Sequence, residues 1–556
     1  MGVIYLPRES TLSRRRFLGL LAGTAGAAVA AGMLPRSVAR ALPAPEGAAG
    51  AAELTTLAQT LGPGAASALG YRPVVSGPGE PHVVRGELAA PLAGREDRRL
   101  SLLNFTHLTD QHIIDVQSTS RVEFLDRYND GQCGGMPFSA AYRPHEAAGA
   151  RITNAMLRRM REIEVSPLTG APIQAAICTG DNVDNQQSNE LEVFIGLMDG
   201  GPVTPSSGDP SRYEGIQASG DRSYWHPDPS VDDGYKRTFG FPSDAGFLER
   251  ALAPFEAVGA GVPWYTCYGN HDGLAQGNAP VNPVFEAIGT GRVKVVGPPP
   301  GANPCTTFDD LGAMPGSQVM PVTADPERRY VRRQEWVARH LESEGLPHGH
   351  GYGQANLDTA TAYYAADAGS IRWLVLDTVN PGGEADGSIG DAQLGWLEDQ
   401  LQSAQAAGRL VMLFSHHGLR SLENPVDTPD PLDPTGGDLP RHRADEVLDV
   451  VSGHSCVIAW VNGHSHSNVV VPRGTFWDIG TAAHIDWPPQ ARLIEVVDNQ
   501  DGTLSIFTTM FDHDEDQVTA FARELCGNDP QKGFSSGTGA IEDRNAELLL
   551  RHPFAA

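Results

Sequence analysis

Residues 102–112, LLNFTHLTDQH, run from an apolar stretch directly into two polar side chains, Asp110 and His112. The apolar residues from Leu102 to Leu108 predict a buried strand that ends just before this pair. Residues two positions apart in an extended chain point the same way, so Asp110 and His112 can be directed at one place. The stretch therefore predicts a strand whose end presents a carboxylate and an imidazole together.

The same arrangement, an apolar run followed by Asp, Asn or His, recurs four more times along the chain. The further apolar runs are Ala175 to Thr179, Pro263 to Tyr268, Leu410 to Phe414 and Val457 to Val461. They lead into Gly180-Asp181, Gly269-Asn270-His271-Asp272, Ser415-His416 and Gly463-His464-Ser465-His466. Two divalent ions about 3.5–4 Å apart, which can catalyse displacement at phosphorus, need roughly seven oxygen and nitrogen ligands with one carboxylate shared. The five motifs supply that number and predict a two-metal hydrolytic site.

In these motifs the chain resembles the calcineurin-like metallophosphoesterase superfamily, whose pattern is DxH, GD, GNH followed by D or E, H, and GHxH. The resemblance covers roughly residues 100–515. It implies an α/β fold, a four-layer αββα sandwich of two mixed β-sheets flanked by helices, with large loop insertions. The metal site would lie at the carboxyl edge of the sheets, and the reaction would be hydrolysis of a phosphate ester.

Carried over position by position, the resemblance implies a ligand set for each ion. One ion would be held by Asp110, His112 and His466, the other by Asn270, His416 and His464, with Asp181 shared between them. A hydroxide between the ions would be the nucleophile, and His271 would protonate the leaving oxygen. Ligation by nitrogen and oxygen without sulfur suits Mn, Fe, Zn or Co and selects none of them. His417 competes with His416, which we prefer because it follows the strand more closely.

Asp184 and Asn185, which follow Asp181 closely, indicate which branch of the superfamily the chain resembles. Asp184 gives the GDxxD form, and its implied role is to hydrogen-bond His271 and orient it. The alternative is a turn residue after the strand. Asp184 stands where purple acid phosphatases place an iron-ligating tyrosine, which argues against that branch. Asn185 stands where protein phosphatases usually carry arginine, which argues against dephosphorylation of proteins.

The first 41 residues predict an export signal. Residues 13–18, SRRRFL, form a twin-arginine pattern, a run rich in glycine and alanine follows, and Ala39-Arg40-Ala41 offers a cleavage site. The run is too short and too poor in large apolar residues for a stable membrane anchor. We expect the twin-arginine translocation machinery as a partner during export, and a secreted, periplasmic or cell-wall-associated protein.

The net charge of −27 bears on the class of substrate. The first 41 residues carry six arginines and one glutamate, so the rest of the chain would stand at −32. Such a surface repels polyanions, which disfavours nucleic acid and leaves a small phosphate ester as the expected substrate. The chain has only three lysines and no arginine inside the motifs, which favours a diester over a more highly charged monoester. The competing hypothesis is a phosphate-binding or cell-envelope module with a decayed site.

The composition also suggests how the chain is organised. Residues 42–95, rich in Ala, Gly and Pro, predict a loosely ordered lead-in to one domain over 96–515, followed by a C-terminal extension over 516–556. In that extension a helix from Ala540 to Leu550 would pack on the outside. Insertions are expected at about 186–262 and 273–360. Within the first, residues 199–244 carry aromatic side chains that form either a substrate lid or the insertion's own core; these are Tyr213, Tyr224, Trp225, His226 and Tyr235.

Several further residues have a structural interpretation that competes with a functional one. His348 and His350 have chelating spacing, but an additional ion is not expected because the main site is already complete. For His484 and Asp486 a structural loop role is favoured over one at the rim of the cleft. Cys178 and Cys267 are expected to be buried free thiols, whereas one or two disulfide bridges among the other four cysteines are left open; those four are Cys133, Cys305, Cys456 and Cys526.

Overall fold

The computed structural model describes residues 47–128, 141–302, 316–427 and 439–555. The strands of this part of the chain are β1 (Gln59–Pro63), β2 (Val74–Pro78), β3 (Val83–Arg85), β4 (Leu100–Leu108), β5 (Ala175–Cys178), β6 (Gly201–Val203), β7 (Phe255–Ala257), β8 (Trp264–Thr266), β9 (Val293–Gly297), β10 (Gln318–Pro321), β11 (Tyr364–Ala368), β12 (Ile371–Val375), β13 (Ile389–Gly390), β14 (Val411–Phe414), β15 (Arg441–His442), β16 (Val457–Asn462), β17 (Val469–Arg473), β18 (Phe476–Gly480), β19 (Gln490–Asp498), β20 (Thr503–Asp512) and β21 (Ala546–Arg551). Its α-helices are α1 (Ala48–Glu53), α2 (Gly149–Ile163), α3 (Ser188–Asp199), α4 (Gly234–Phe239), α5 (Phe247–Leu252), α6 (Asn270–Gly273), α7 (Pro283–Gly289), α8 (Arg333–Glu342), α9 (Gln354–Thr359), α10 (Asp391–Ala406), α11 (Ala444–Ser452) and α12 (Gln517–Gly527).

A seven-stranded mixed sheet brings the first three motifs together. Its strand order is β3-β21-β20-β19-β4-β5-β8. Strands β4, β5 and β8 are adjacent and parallel, and they lead into Asp110, Asp181 and Asn270. Because the carboxyl ends of parallel strands meet at one edge of a sheet, the three side chains reach the same place from three distant parts of the sequence.

A six-stranded mixed sheet supplies the remaining motifs. Its order is β11-β12-β14-β16-β18-β17, in which the four central strands are parallel. Strand β14 leads into His416, and β16 leads into His464 and His466. The strands predicted before the five motifs are all present.

The two sheets face each other across a buried core. The ring of Phe105 on β4 lies 5.0 Å from that of Trp373 on β12 and 5.8 Å from that of Phe414 on β14. Alternate residues of β12 point the other way, so Leu374 packs in a separate core with Leu397 of α10 and with α11. On the seven-stranded sheet, α2 and α3 pack into the same core as β5. The protein is therefore an α/β protein with two mixed sheets, and strands apolar on both faces explain the continuous apolar runs in the sequence.

The prediction of a C-terminal helix over Ala540 to Leu550 is wrong. The segment forms β21, which pairs with β20 on one side and with β3 on the other. A run of three leucines is compatible with either structure, and long-range pairing decides in favour of the strand. The same pairing orders the lead-in, where Arg95 donates to the Glu547 carboxylate at 2.8–2.9 Å. The described residues from 47 to 95 and the C-terminal segment are therefore parts of the fold.

The aromatic residues of the first insertion belong to a core. Tyr224, Trp225 and Tyr235 are buried together with Phe247 of α5 and Leu525 of α12. Since their rings are enclosed by these neighbours, they cannot reach over the metal site. Of the two alternatives, the structure supports a core for these three rings, and Leu525 shows that this core extends beyond the insertion; a lid made by these rings is wrong.

The state of the cysteines can be compared with the expectation from the sequence. Cys178 and Cys267 are buried free thiols, as expected, and Cys456 and Cys526 are also free. Cys133 and Cys305 lie outside the described residues, as does the predicted export signal. Among the described residues there is no helix that is both long enough and apolar enough to cross a membrane.

His350 stacks on Trp264 at 3.3 Å between ring centroids, which is a packing role.

Candidate metal centre

The five motifs converge on one cluster of donor atoms. Four overlapping groups of three side chains have ligand atoms within 4.8 Å of one another. The seven predicted ligands all belong to this region, and five of them are almost fully buried, namely Asp110, His112, Asp181, Asn270 and His416. The other two, His464 and His466, keep 18% and 14% of their side-chain surface exposed. These histidines therefore mark the open side of the cluster.

Three of these side chains define what we call the first position: Asp110, His112 and His466. His466 Nε2 lies 3.3 Å from His112 Nε2 and 3.3 Å from Asp110 Oδ1. Two donors that are each about 2.1 Å from one ion, at angles between octahedral and tetrahedral, are about 3.0–3.4 Å apart. The observed spacings match that edge length, so the three side chains fit a single cation.

The second position is set by His416 and His464, to which the sequence assigns Asn270 as a third ligand. Nδ1 of His464 lies 3.3 Å from Nε2 of His416. Asn270 donates through Nδ2 to the Gly277 carbonyl at 2.9 Å, whereas its buried Oδ1 has no hydrogen-bond partner among the described residues. An unpaired buried acceptor costs roughly 1–3 kcal/mol, which a bound cation would offset. The donor set therefore fits a second cation.

Asp181 lies between the two positions. Its Oδ2 is 3.1 Å from His416 Nε2 and 3.6 Å from His112 Nε2. Its Oδ1 accepts a hydrogen bond from the main-chain N–H of His271 at 2.9 Å. One carboxylate oxygen thus faces donors of both positions while the other is anchored to the backbone. This is the geometry expected of a shared ligand.

The local backbone at the ligands is not extended as the sequence predicts. Asp110 and His112 have φ of 50° and 42°, and Asp181, His464 and His466 have φ of 49°, 64° and 50°. Such left-handed conformations are uncommon for residues other than glycine, and they cluster at functional sites. The side chains therefore converge because each strand ends in a tight turn, and the argument from extended i, i+2 spacing is wrong for this pair of motifs.

Glycines beside the ligands permit the close approach of the motifs. Gly180 has φ of 89°, and a Cβ added there would stand 2.7 Å from the Cβ of His416 and 2.8 Å from its ring. The space that a side chain would fill is thus occupied by a predicted ligand. Gly180 is required both by its conformation and by this contact.

The choice between His416 and His417 is informed by their ring contacts. Both ring nitrogens of His417 bind protein groups, Nδ1 at 2.9 Å from Thr378 Oγ1 and Nε2 at 2.8 Å from the Ala385 carbonyl. His416 bonds through Nδ1 to the Thr179 carbonyl at 2.8 Å and turns Nε2 toward Asp181. The arrangement supports His416 as the ligand.

The expected hydrogen bond between the Asp184 carboxylate and His271 is not the one observed. Nδ1 of His271 lies 2.5 Å from the main-chain carbonyl of Asp184, whereas the nearest carboxylate oxygen is 3.7 Å away. The turn after Asp181 directs that carboxylate to Nδ1 of His112, at 3.1 Å. His271 is thus oriented by a backbone atom, with Nδ1 committed to the Asp184 carbonyl.

Electrostatics at His271 act in opposite directions. Burial lowers the pKa of the ring, and Asp181 beside it raises the pKa, with burial prevailing. The ring by itself is therefore biased toward the neutral form. A proton at Nε2 must arrive with the substrate or from solvent before the ring can act as an acid.

Asn185 is excluded from contact with a substrate. Its side chain is fully buried, Nδ2 donates to Ser120 Oγ at 2.8 Å, and Oδ1 accepts from the Gln276 main-chain N–H at 2.8 Å. Asn185 is therefore a link between loops.

A buried hydrogen-bond chain behind Asp110 was not predicted. Thr109 Oγ1 donates to Asp110 Oδ2 at 2.7 Å, and Thr179 Oγ1 donates to Thr109 Oγ1 at 2.7 Å. His107 Nε2 lies 2.7 Å from Thr179 Oγ1 and completes the chain. The signal in the sequence is the presence of polar residues inside otherwise apolar strands. Asp486 lies 2.6 Å from Nδ1 of His466, so it does more than the loop role that the sequence favours.

Comparison with known proteins gives only distant similarity. No protein-family model matches the chain, and no curated protein matches its sequence. Among solved structures, the chain is similar to a dimetal phosphatase from Danio rerio at 12% identity, with 74% of this chain and 100% of that chain covered and a TM-score of 0.33. It is similar to a calcineurin-like phosphoesterase from Bacillus subtilis at 12% identity, with 77% and 97% covered and a TM-score of 0.25.

Similarity at this level does not indicate a function. Any functional assignment has to rest on the fold and the site of this chain. The chain is an α/β protein with two mixed sheets and a buried cluster of aspartate and histidine side chains that suits divalent metal ions.

Proposed function

We propose that the protein is an exported metallophosphoesterase that hydrolyses small phosphate esters with two divalent ions, built as a four-layer αββα sandwich. The observation that carries the proposal is the position of Asp181, whose Oδ2 faces His112 of the first position and His416 of the second. A carboxylate shared in this way is typical of a two-metal hydrolytic site. Export through the twin-arginine machinery to a secreted, periplasmic or cell-wall location rests on residues 13–18 alone.

In this proposal the chain's own residues arrange the reacting groups. Bound divalent ions supply positive charge that activates water and neutralises the phosphoryl group. One ion would be held at the first position by Asp110, His112 and His466. The other would be held at the second position by Asn270, His416 and His464. His271 stands beside Asp181 with Nε2 directed away from its carbonyl anchor, and from there it gives a proton to the leaving oxygen.

The charges around the opening favour diesters. Asp386 is 54% exposed, and its carboxylate lies 3.7 Å from Nε2 of His464. Arg143 is committed to Asp486 and Arg121 to Glu146, in buried pairs. A dianionic monoester would be repelled by this exposed carboxylate more strongly than a monoanionic diester. The strongly negative chain also makes nucleic acid an unfavourable partner.

The proposal is tested by turnover of model esters. Purified, metal-loaded protein is expected to hydrolyse bis(p-nitrophenyl) phosphate with a higher kcat/KM than p-nitrophenyl phosphate, because the Asp386 carboxylate disfavours the dianion. Chelation should abolish both activities, and Mn²⁺, Zn²⁺ or Co²⁺ should restore them. The release of p-nitrophenolate measures each rate.

The competing function is a decayed phosphate-binding or cell-envelope module. Protein that retains its ions and turns over neither ester, even with each metal added, would establish that alternative and remove the proposed activity. A higher kcat/KM on the monoester would leave the hydrolase in place and contradict the diester preference.

A further inference from the structure

Outside the five motifs, a buried ion pair supports one of the predicted ligands. Asp486 accepts from Arg143 Nε at 2.6 Å through Oδ1 and from Arg143 Nη2 at 3.2 Å through Oδ2. The same Oδ2 lies 2.6 Å from Nδ1 of His466. Both members of the pair are about 1% exposed. Arg143, Asp486 and His466 therefore form a continuous line that ends at the metal centre.

The contact determines which nitrogen of His466 is available to an ion. A carboxylate at Nδ1 accepts a hydrogen bond, so the proton is assigned to Nδ1 and the lone pair to Nε2. That Nε2 is the atom 3.3 Å from Asp110 Oδ1. Because Arg143 holds Asp486 through both oxygens, the carboxylate has little freedom to turn, and the ring plane of His466 is fixed with it.

The two positions differ in the hydrogen-bond partners that orient their histidines. At the first position, both histidines bond to buried carboxylates, His466 to Asp486 and His112 to Asp184. At the second, His416 bonds to a main-chain carbonyl, and the exposed Asp386 carboxylate lies 3.7 Å from Nε2 of His464, beyond hydrogen-bonding distance. A carboxylate raises the basicity of an imidazole ligand, and loss of such a partner typically lowers metal affinity about 10–100-fold.

We propose that Asp486, held by Arg143, is a positioning residue for His466 and makes the first position the tighter of the two. The proposal rests on the proposed two-metal centre. It adds the order in which the two ions bind, with the first position occupied at the lower metal concentration. It predicts that the ions bind in two classes and that the class with higher affinity depends on Asp486.

The test is a titration of the chelator-stripped full chain with Zn²⁺ in competition with a chromophoric chelator. The unaltered protein is expected to show two classes of site. Asp486→Asn should weaken the tighter class about 10–100-fold and leave the weaker class within about twofold. The matched control is Asp386→Asn, which removes the exposed carboxylate beside His464 and should leave the tighter class unchanged.

A second variant controls for destabilisation of the fold, since Asp486→Asn removes the carboxylate that pairs with the buried Arg143. The double variant Arg143→Met with Asp486→Asn removes both charges, and it should show the same selective loss of the tighter class. If both variants bind the two ions as tightly as the unaltered chain, the inference is overturned and the metal centre stands. Absence of any zinc binding by the unaltered chain would overturn the proposed function as well as the inference.

Discussion

Replacing His271 with alanine is expected to lower kcat about 10²–10⁴-fold while both ions stay bound. The substitution removes the ring but keeps the main-chain N–H that donates to Asp181 Oδ1, so the shared carboxylate keeps its anchor. What is lost is a proton donor for the leaving oxygen. The loss should therefore be larger for an alkyl phosphodiester, whose leaving group needs a proton, than for a p-nitrophenyl diester, whose leaving group does not.

Single-turnover rates on the two diesters, together with metal analysis, separate the possible roles of His271. The exposed His348 supplies a matched control, since His348→Ala should change neither rate. His271 also belongs to a group of donors with His112 and Asp181. Loss of one ion from the His271→Ala protein would show that His271 is a ligand, and an equal loss on both substrates would remove it as the acid.

Replacing Gly463 with alanine is expected to lower activity by at least about 10²-fold, because a displacement near 1 Å at a catalytic site has effects of that size. An added Cβ would meet Thr109 Oγ1 and would stand 2.6 Å from Asp110 Oδ2. It would therefore break the hydrogen bond from Thr109 to Asp110 and shift a ligand of the first position.

The control for Gly463 is a glycine in open space. Gly395 lies on the exposed face of α10 with no atom within 4 Å of an added Cβ, so Gly395→Ala should leave activity unchanged and raise stability by about 0.5–1 kcal/mol. Thermal unfolding and ester turnover measure the two effects. Unchanged turnover in Gly463→Ala would contradict the packing described for Asp110.

The sequence predicts the strands and the polar residues that follow them because each motif is local. An apolar run and its polar end lie within about ten residues, and the five strands before the motifs follow from that pattern alone. Their convergence then needs only parallel pairing, as β4, β5 and β8 show.

Long-range contacts account for what the sequence does not reveal. Arg143 and Asp486 are 343 residues apart, and neither belongs to a motif, so no local pattern links them to His466. Strand β21 has apolar residues that suit a helix equally well, and its structure is decided by β20 and β3. The left-handed turn at Asp110 is likewise imposed by the fold, since aspartate does not require that conformation.

Metal analysis of protein purified from its native export route, without chelator, tests the two-metal centre most directly. The account predicts close to two divalent ions per chain, because the first and second positions each offer three donors and share Asp181. Active, unchelated protein that contains no ion would contradict it.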